Sequence, residues 1–257
     1  MEAKPIAAFD LDGTLYKTSM LDAVYEQASS ENIIDELTAR RVHNANETWQ
    51  YRHNNEGTYT RSVGLTISAL INTMKGREPE VLTDLATRAA KNAELRKRSF
   101  VHESMKLLSG SHEIVIISAS NILITNAFLE QYGMETIPKE NIYGSTWEVV
   151  DGKFTGNGTT LDKVSTIENI VKDHKARLGS RSVAFGDTIS DFGMLKLTEI
   201  GFMVNPSAAL EKAANGRLHK INESKDTISH TLPGSNPPFR HFPLQSAESI
   251  LKSCRII

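Results

Sequence analysis

The sequence predicts an α/β protein, a parallel sheet covered on both faces by helices, with a helical block inserted after the first strand. Three observations predict it. Short apolar runs of strand length recur at Pro5-Ile6-Ala7-Ala8, Ile114-Val115-Ile116-Ile117, Val183-Ala184-Phe185 and Gly201-Phe202-Met203-Val204. Stretches with helical spacing of apolar residues separate the later runs. Residues 18–98 hold almost no strand signal and little Gly or Pro.

In chain order, the opening strand leads into Phe9-Asp10-Leu11-Asp12-Gly13-Thr14-Leu15-Tyr16, where Gly13 allows a free turn. Leu21 to Tyr25 and Ile33 to Leu37 show helical spacing, and Thr83 through Arg98 is rich in good helix formers. Gly57 and Gly76-Arg77-Glu78-Pro79 read as breaks between helices. Glu113 to Ser118 reads as a buried strand, Asn121 to Tyr132 as the helix after it. Trp147 to Phe154 reads as a hairpin turning at Asp151-Gly152. Leu161 to His174, Phe192 to Leu197 and Ala208 to Ala214 read as helices. Beyond Arg217 the signal fades into a turn-rich linker at Pro233 to Pro238 and a terminal helix from Gln245 to Cys254.

Composition excludes several function classes. A formal charge of -2, from 29 Lys+Arg against 31 Asp+Glu, gives neither a nucleic-acid footprint nor a polybasic membrane patch. No apolar run is long enough to span a bilayer. The single cysteine, Cys254, cannot form an internal disulfide and is expected to have no chemical role. Met1 to Pro5 lacks the layout of a signal peptide, so a soluble, cytoplasmic protein is expected.

Four sites carry chemistry. Asp10 and Asp12 leave a strand's carboxyl end, where open α/β sheets bind ligands, and paired carboxylates there suit Mg²⁺, which takes oxygen ligands. An Asx-turn would explain Asp-Gly alone. Ser118 ends a second strand, and the following Ala119-Ser120-Asn121 can open a helix whose free N–H groups bind anions. Lys163 falls between the Gly/Thr-rich loop Gly156 to Thr160 and a helix, within reach of a phosphate. Gly186-Asp187-Thr188-Ile189-Ser190-Asp191 places two more acids after a third strand; helix capping explains one acid but not the recurrence.

In that order, Asp-x-Asp-Gly-Thr, Ser, Lys and Gly-Asp-x₃-Asp resemble the haloacid dehalogenase-like superfamily of phosphohydrolases over roughly residues 5–214. The helical block and the hairpin before Lys163 are similar to the phosphoserine-phosphatase-like branch. The resemblance implies a Rossmann-like core of residues 1–16 and 99–216 and a helical cap of residues 17–98. The extension 217–257 stays without an assigned role. It also implies roles: Asp10 as nucleophile, Asp12 as general acid/base, and Mg²⁺ held by the Asp10 and Asp187 carboxylates and the Asp12 carbonyl. Ser118, Lys163 and the backbone N–H groups near Leu11 and Ala119 would hold the phosphoryl oxygens. Asp191, Gly13 and Thr14 would support them.

Asp12 argues for a phosphatase, because dehalogenase members lack the second acid. The alternatives are phosphotransfer of the mutase kind and a non-catalytic binding protein, whose signature would be loss of Asp10, Asp12, Lys163 or Asp187. The substrate expected is a small phosphorylated metabolite. Phosphoserine itself is disfavoured: Ser19 stands where those phosphatases carry a glutamate, and Gly64 where they carry an arginine. Tyr16, Met20, Trp49 and Arg52 are candidate substrate contacts, whereas Arg96-Lys97-Arg98 reads as a solvated face.

Overall fold

The computed structural model describes residues 4–51, 56–94, 96–134, 136–174, 178, 181–224, 227–234 and 246–257, with the backbone alone at 48–51, 56–60 and 173–174. Strand β1 (Ile6–Phe9) lies centrally, between β2 (Glu113–Asn121) and β5 (Val183–Gly186), both parallel to it. The hairpin β3 (Ile142–Val150) and β4 (Lys153–Thr159) extends one side, β3 running parallel to β2. On the other side lie β6 (Ile200–Val204), β7 (His219–Glu223) and β8 (Ile228–Thr231), giving the order β4-β3-β2-β1-β5-β6-β7-β8.

The central strands are buried on both faces, which is why they read as continuous apolar runs. Their side chains alternate between two cores. Ala7, Phe9, Ile116, Phe185 and Phe202 face one. That core also takes α5 (Ser99–Leu108), α6 (Ile122–Gln131) and α10 (Ala247–Ser253). Ile6, Ala8, Val115, Ala184 and Met203 face the other, under α7 (Lys163–His174), α8 (Phe192–Leu197) and α9 (Ala208–Ala214). Phe9, Phe185 and Phe202 stack across three strands in register, with ring centroids 4.7 and 5.0 Å apart. This ladder fixes the strand ends that carry the acids.

Between β1 and β2 the chain forms α1 (Met20–Ser30), α2 (Glu36–Tyr51), α3 (Glu56–Met74) and α4 (Pro79–Asn92). Helix α2 packs on α3, and α4 on α1 and α6. The two connections to this block run side by side: Lys17 N–H donates to Arg96 O (2.8 Å) and Arg98 N–H to Leu15 O (3.0 Å). The β3–β4 hairpin is tied to the block by reciprocal backbone bonds between Gly76, Arg77 and Phe154.

Several sequence expectations differ from this arrangement. The helix expected over Thr83–Arg98 stops at Asn92, because Arg96 to Arg98 pair with Leu15 to Lys17. The segment Ile33 to Asp35 is a connection, and Asp35 accepts from Thr38 N–H (2.9 Å) at the start of α2. Gly57 is the second residue of α3, and the change of helix expected there falls just before it, α2 ending at Tyr51 and α3 starting at Glu56. The expected loop Gly156–Thr160 is strand through Thr159, paired antiparallel with β3. Strand β2 continues to Asn121 through an irregular register, so Ala119-Ser120 does not open the helix; Asn121 caps it, accepting from Leu123 N–H (2.8 Å). Past Arg217, where no strand was legible, β7 and β8 extend the sheet and α10 packs on α5. Strand β7 is His-Lys-Ile-Asn-Glu, with polar residues on a half-covered sheet end, so it lacks the apolar run that betrayed the central strands.

Candidate active site

The register brings three strand ends together. Phe9 pairs with Ile116 and Phe185, so Asp10 and Asp187, directly after β1 and β5, lie at the same end of the sheet as Ser118 within β2. Lys163, the first residue of α7, reaches this point and is 4 % exposed. Its Nζ donates to Asp10 Oδ1 and to Asp191 Oδ1, both at 2.5 Å. The other Asp191 oxygen accepts from the N–H groups of Asp187 (3.1 Å) and Thr188 (2.9 Å) and from the Thr188 hydroxyl. Both Asp191 oxygens are therefore occupied, and the residue holds the lysine and the 187–191 loop in place.

Asp187 accepts from the Thr14 hydroxyl at 3.1 Å. Gly13 lies against it with φ +83°, and a Cβ there would stand 2.0 Å from Asp187 Oδ2. Gly13→Ala is accordingly expected to strain the turn and displace Asp187. It should cost about 1–3 kcal/mol of stability by thermal melting.

Asp12 occupies a different environment from Asp10. Its Oδ1 accepts from Met20 N–H and its Oδ2 from the Ser120 hydroxyl, each at 2.8 Å. It thus bridges the turn, the first residue of α1 and the end of β2. Burial raises its carboxyl above the usual range, against the two hydrogen bonds and the Lys163 charge. Burial also pushes Asp10 up to about 7, with Lys163 pulling down and Asp191 and Asp12 pushing up. Asp187 is raised well above the ordinary value by burial and by the charges of Asp10 and Asp191.

One carboxylate oxygen from each of Asp10, Asp187 and Asp191 lies within 4.8 Å of the other two. Among the described residues, Lys163 is the one cation hydrogen-bonded into this cluster. Three carboxylates against one ammonium leave negative charge uncompensated in a buried place. With hard oxygen donors crowded together, the residues fit a divalent cation such as Mg²⁺.

The remaining expected residues fall as follows. Ser118 is buried, and its hydroxyl oxygen accepts from Ser120 N–H (3.1 Å). Ala119 is exposed, its carbonyl accepting from the Ser145 hydroxyl (2.6 Å). The buried Leu11 accepts three N–H bonds at its carbonyl, from Thr14, Leu15 and Tyr16, which close the turn. Two of the candidate substrate contacts lie in the core. Tyr16 is fully buried, its hydroxyl on Met134 sulfur (3.3 Å) and its ring against His102 and Tyr132. Met20 is fully buried too, and serves the site through its N–H on Asp12 rather than its side chain. Trp49 lies in α2 with its backbone alone described, and Arg52 lies outside the described residues.

Sequence reasoning missed four participants. Ser120 had no signal beyond its closeness to Ser118. Arg98, expected as part of a solvated face, donates from Nε to Gly13 O (2.5 Å) and braces the turn from behind. Glu223, 6 % exposed, accepts from Ser99 and Phe100 N–H at the start of α5. Asp22, in the first turn of α1, is pushed up to about 6 by burial and by the charge of Asp12.

A family model of haloacid dehalogenase-like hydrolases matches residues 7–196. The chain belongs to that family. Phosphoserine phosphatase of Archaeoglobus fulgidus is 22% identical over 229 residues, an alignment covering 85% of this chain and 58% of that relative. A substrate-bound phosphoserine phosphatase structure aligns with a TM-score of 0.53 at 18% identity, over 82% of this chain and 91% of that one. A protein of unknown function from Bordetella pertussis Tohama I aligns with a TM-score of 0.63 at 18% identity, over 84% and 96%. These structures share the haloacid dehalogenase-like fold with this chain. No helix among the described residues is long and apolar enough to cross a membrane.

Proposed function

We propose that this member of the haloacid dehalogenase-like hydrolases is a Mg²⁺-dependent phosphatase. It hydrolyses a small phosphorylated metabolite through an aspartyl-phosphate on Asp10. The observation that carries the reading is the division of labour between two neighbouring acids. Asp10 sits against a lysine, while Asp12 is aimed by hydrogen bonds from Met20 and Ser120 and kept basic by burial.

Asp10 attacks phosphorus in line, forming an O–P bond as the ester O–P bond breaks, which divides one hard displacement into two easier steps. Asp12, protonated, gives its proton to the departing alkoxide. As carboxylate, it then takes a proton from the water that cleaves the acyl phosphate. Lys163 and the Ser118 hydroxyl hold phosphoryl oxygens while charge redistributes over them, with backbone N–H groups near Leu11 and Ala119. Asp191 keeps Lys163 aimed at Asp10 throughout. Mg²⁺, held by Asp10, Asp187 and the Asp12 carbonyl, would screen the carboxylate nucleophile from the anionic phosphate.

The substrate reading rests on the cap. Ser19 is the N-cap of α1, its hydroxyl oxygen accepting from Asp22 N–H (3.2 Å), and carries no charge for an amino group. Gly64 is exposed, and a Cβ placed on it would meet nothing within 4 Å. A carboxylate-bearing substrate therefore finds no cation at that position. Phosphoserine is expected to be turned over with a kcat/KM within about tenfold of uncharged alkyl phosphates, since no added ion pair discriminates between them. A far larger preference for phosphoserine refutes that expectation.

Phosphate release from a panel of phosphorylated metabolites, with Mg²⁺ or EDTA, tests the whole reading. Metal-dependent release from at least one member is the expected result. Undiminished release in EDTA, or none from any compound by folded protein, overturns it. The cytoplasmic setting expected from the sequence belongs to the same proposal.

A further inference from the structure

The His219, His230 and Cys254 side chains converge at the end of the sheet farthest from the hairpin. They come from β7, β8 and the C-terminal end of α10, all beyond the residues matched by the family model. Strands β7 and β8 are antiparallel, with Ile221 opposite His230. Counting two residues back along β7 puts His219 on the same face as His230, one diagonal step away. That face is the one α10 covers, and Cys254 is the C-cap directly after α10.

The donor atoms point at one another. His219 Nδ1 lies 2.9 Å from His230 Nε2 and 3.7 Å from Cys254 Sγ, and all three atoms lie within 4.8 Å of one another. Ligand atoms bound to one tetrahedral Zn²⁺ stand about 3.3–3.8 Å apart, given Zn–N of about 2.0 Å and Zn–S of about 2.3 Å. Both distances from His219 come within a few tenths of an ångström of that range. His219 is also held in place independently of any ligand. It continues the aromatic ladder, with its ring 5.0 Å from Phe202 and stacked on His230 at 5.1 Å.

We propose that His219, His230 and Cys254 form a Zn²⁺ site that clasps the last hairpin and the last helix together. Imidazole and thiolate donors of this kind select borderline and soft cations over Mg²⁺. Both imidazoles enter the site neutral, since burial pushes each down to about 4. The thiol enters protonated, raised by burial. Binding therefore forms one Zn–S bond as the S–H bond breaks, and one proton leaves to solvent. Cys254, idle as a lone cysteine, becomes the ligand that anchors the C-terminal helix. Three protein ligands leave a fourth position for water.

The test uses the full chain, stripped with EDTA and titrated with Co²⁺, then with Zn²⁺ in competition. The expected result is a near-ultraviolet thiolate-to-cobalt absorption band that saturates at one equivalent and is displaced by Zn²⁺. Carboxylate ligands give no such band, so cobalt in the Asp10–Asp187 cluster cannot mimic it. Cys254→Ser should abolish the band and leave basal phosphate release unchanged. Zn²⁺ at a hundredfold excess over its Kd should raise Tm by about 5 °C in the parent chain and not in His230→Ala. Absence of the band in folded protein, or an equal Tm response from parent and His230→Ala, overturns the proposal.

Discussion

Asp10→Asn is expected to end phosphate release, by about 10⁴-fold or more, while the chain stays folded. The amide keeps the carboxyl's shape but cannot attack phosphorus, and no neighbouring group replaces it: Asp12 is turned toward Met20 and Ser120, and Asp191 is saturated. Substantial residual release would overturn the nucleophile assignment. The same substitution carries a stability signature. The Asp10 carboxyl is raised by burial from its ordinary 3.8 to about 7, so the folded chain holds this proton more tightly than the unfolded chain does. Stability of the metal-free protein should thus fall as pH climbs from about 4 through about 7. Asp10→Asn should lessen that fall, and Mg²⁺ should oppose it in the parent. Urea melts at pH 5 and pH 8, with and without Mg²⁺, measure both effects.

Lys163→Met should damage both fold and chemistry. The ammonium is bonded to two buried carboxylates, and its own proton is held more tightly than in water by their charges, against the cost of burial. Removing it leaves Asp10 and Asp191 buried without a cation, which typically costs about 3–5 kcal/mol. A fall in Tm of roughly 10 °C at pH 7 follows. The deficit should shrink toward pH 5, where the Asp10 carboxyl, raised by burial to about 7, takes up a proton and relieves part of the uncompensated charge. Phosphate release should drop by about 10²–10³-fold, the usual loss on deleting one preorganised phosphoryl-oxygen donor. Lys163→Arg is no rescue, since a planar fork cannot place one nitrogen 2.5 Å from both acids as a compact ammonium does. A Tm within 2 °C of the parent would contradict the buried-pair account.

These effects follow from residues legible in the sequence to different degrees. Asp10, Asp12, Asp187 and Asp191 stand out because acids directly after apolar strands are costly and recur here. Ser118 and Lys163 gain meaning only as members of an ordered set. Tyr16 and Met20 illustrate the limit. Proximity along the chain to the Asp10–Asp12 turn suggested a pocket, but the chain bends at Gly13 and both side chains lie in the core. Arg98 illustrates the converse: its basic neighbours suggested solvent, yet the return connection runs beside Leu15 and aims its guanidinium at the turn.

What the chain determined by itself was local and periodic: two-sided apolar runs for central strands, helical spacing for the inserted block, Asp-Gly for the hairpin turn, and acids at strand ends. Such signals survive in a linear reading because each depends on residues within one or two turns of chain. Only the tertiary structure decided which of Asp191's oxygens meet Lys163, which face Asp12 presents, and that Glu223 caps α5. It alone brought His219, His230 and Cys254 together, from positions 11 to 35 residues apart. Those contacts are set by strand register and by helices folding back on the sheet, and hydrogen-bonding groups carry no pattern along the sequence that names their partners.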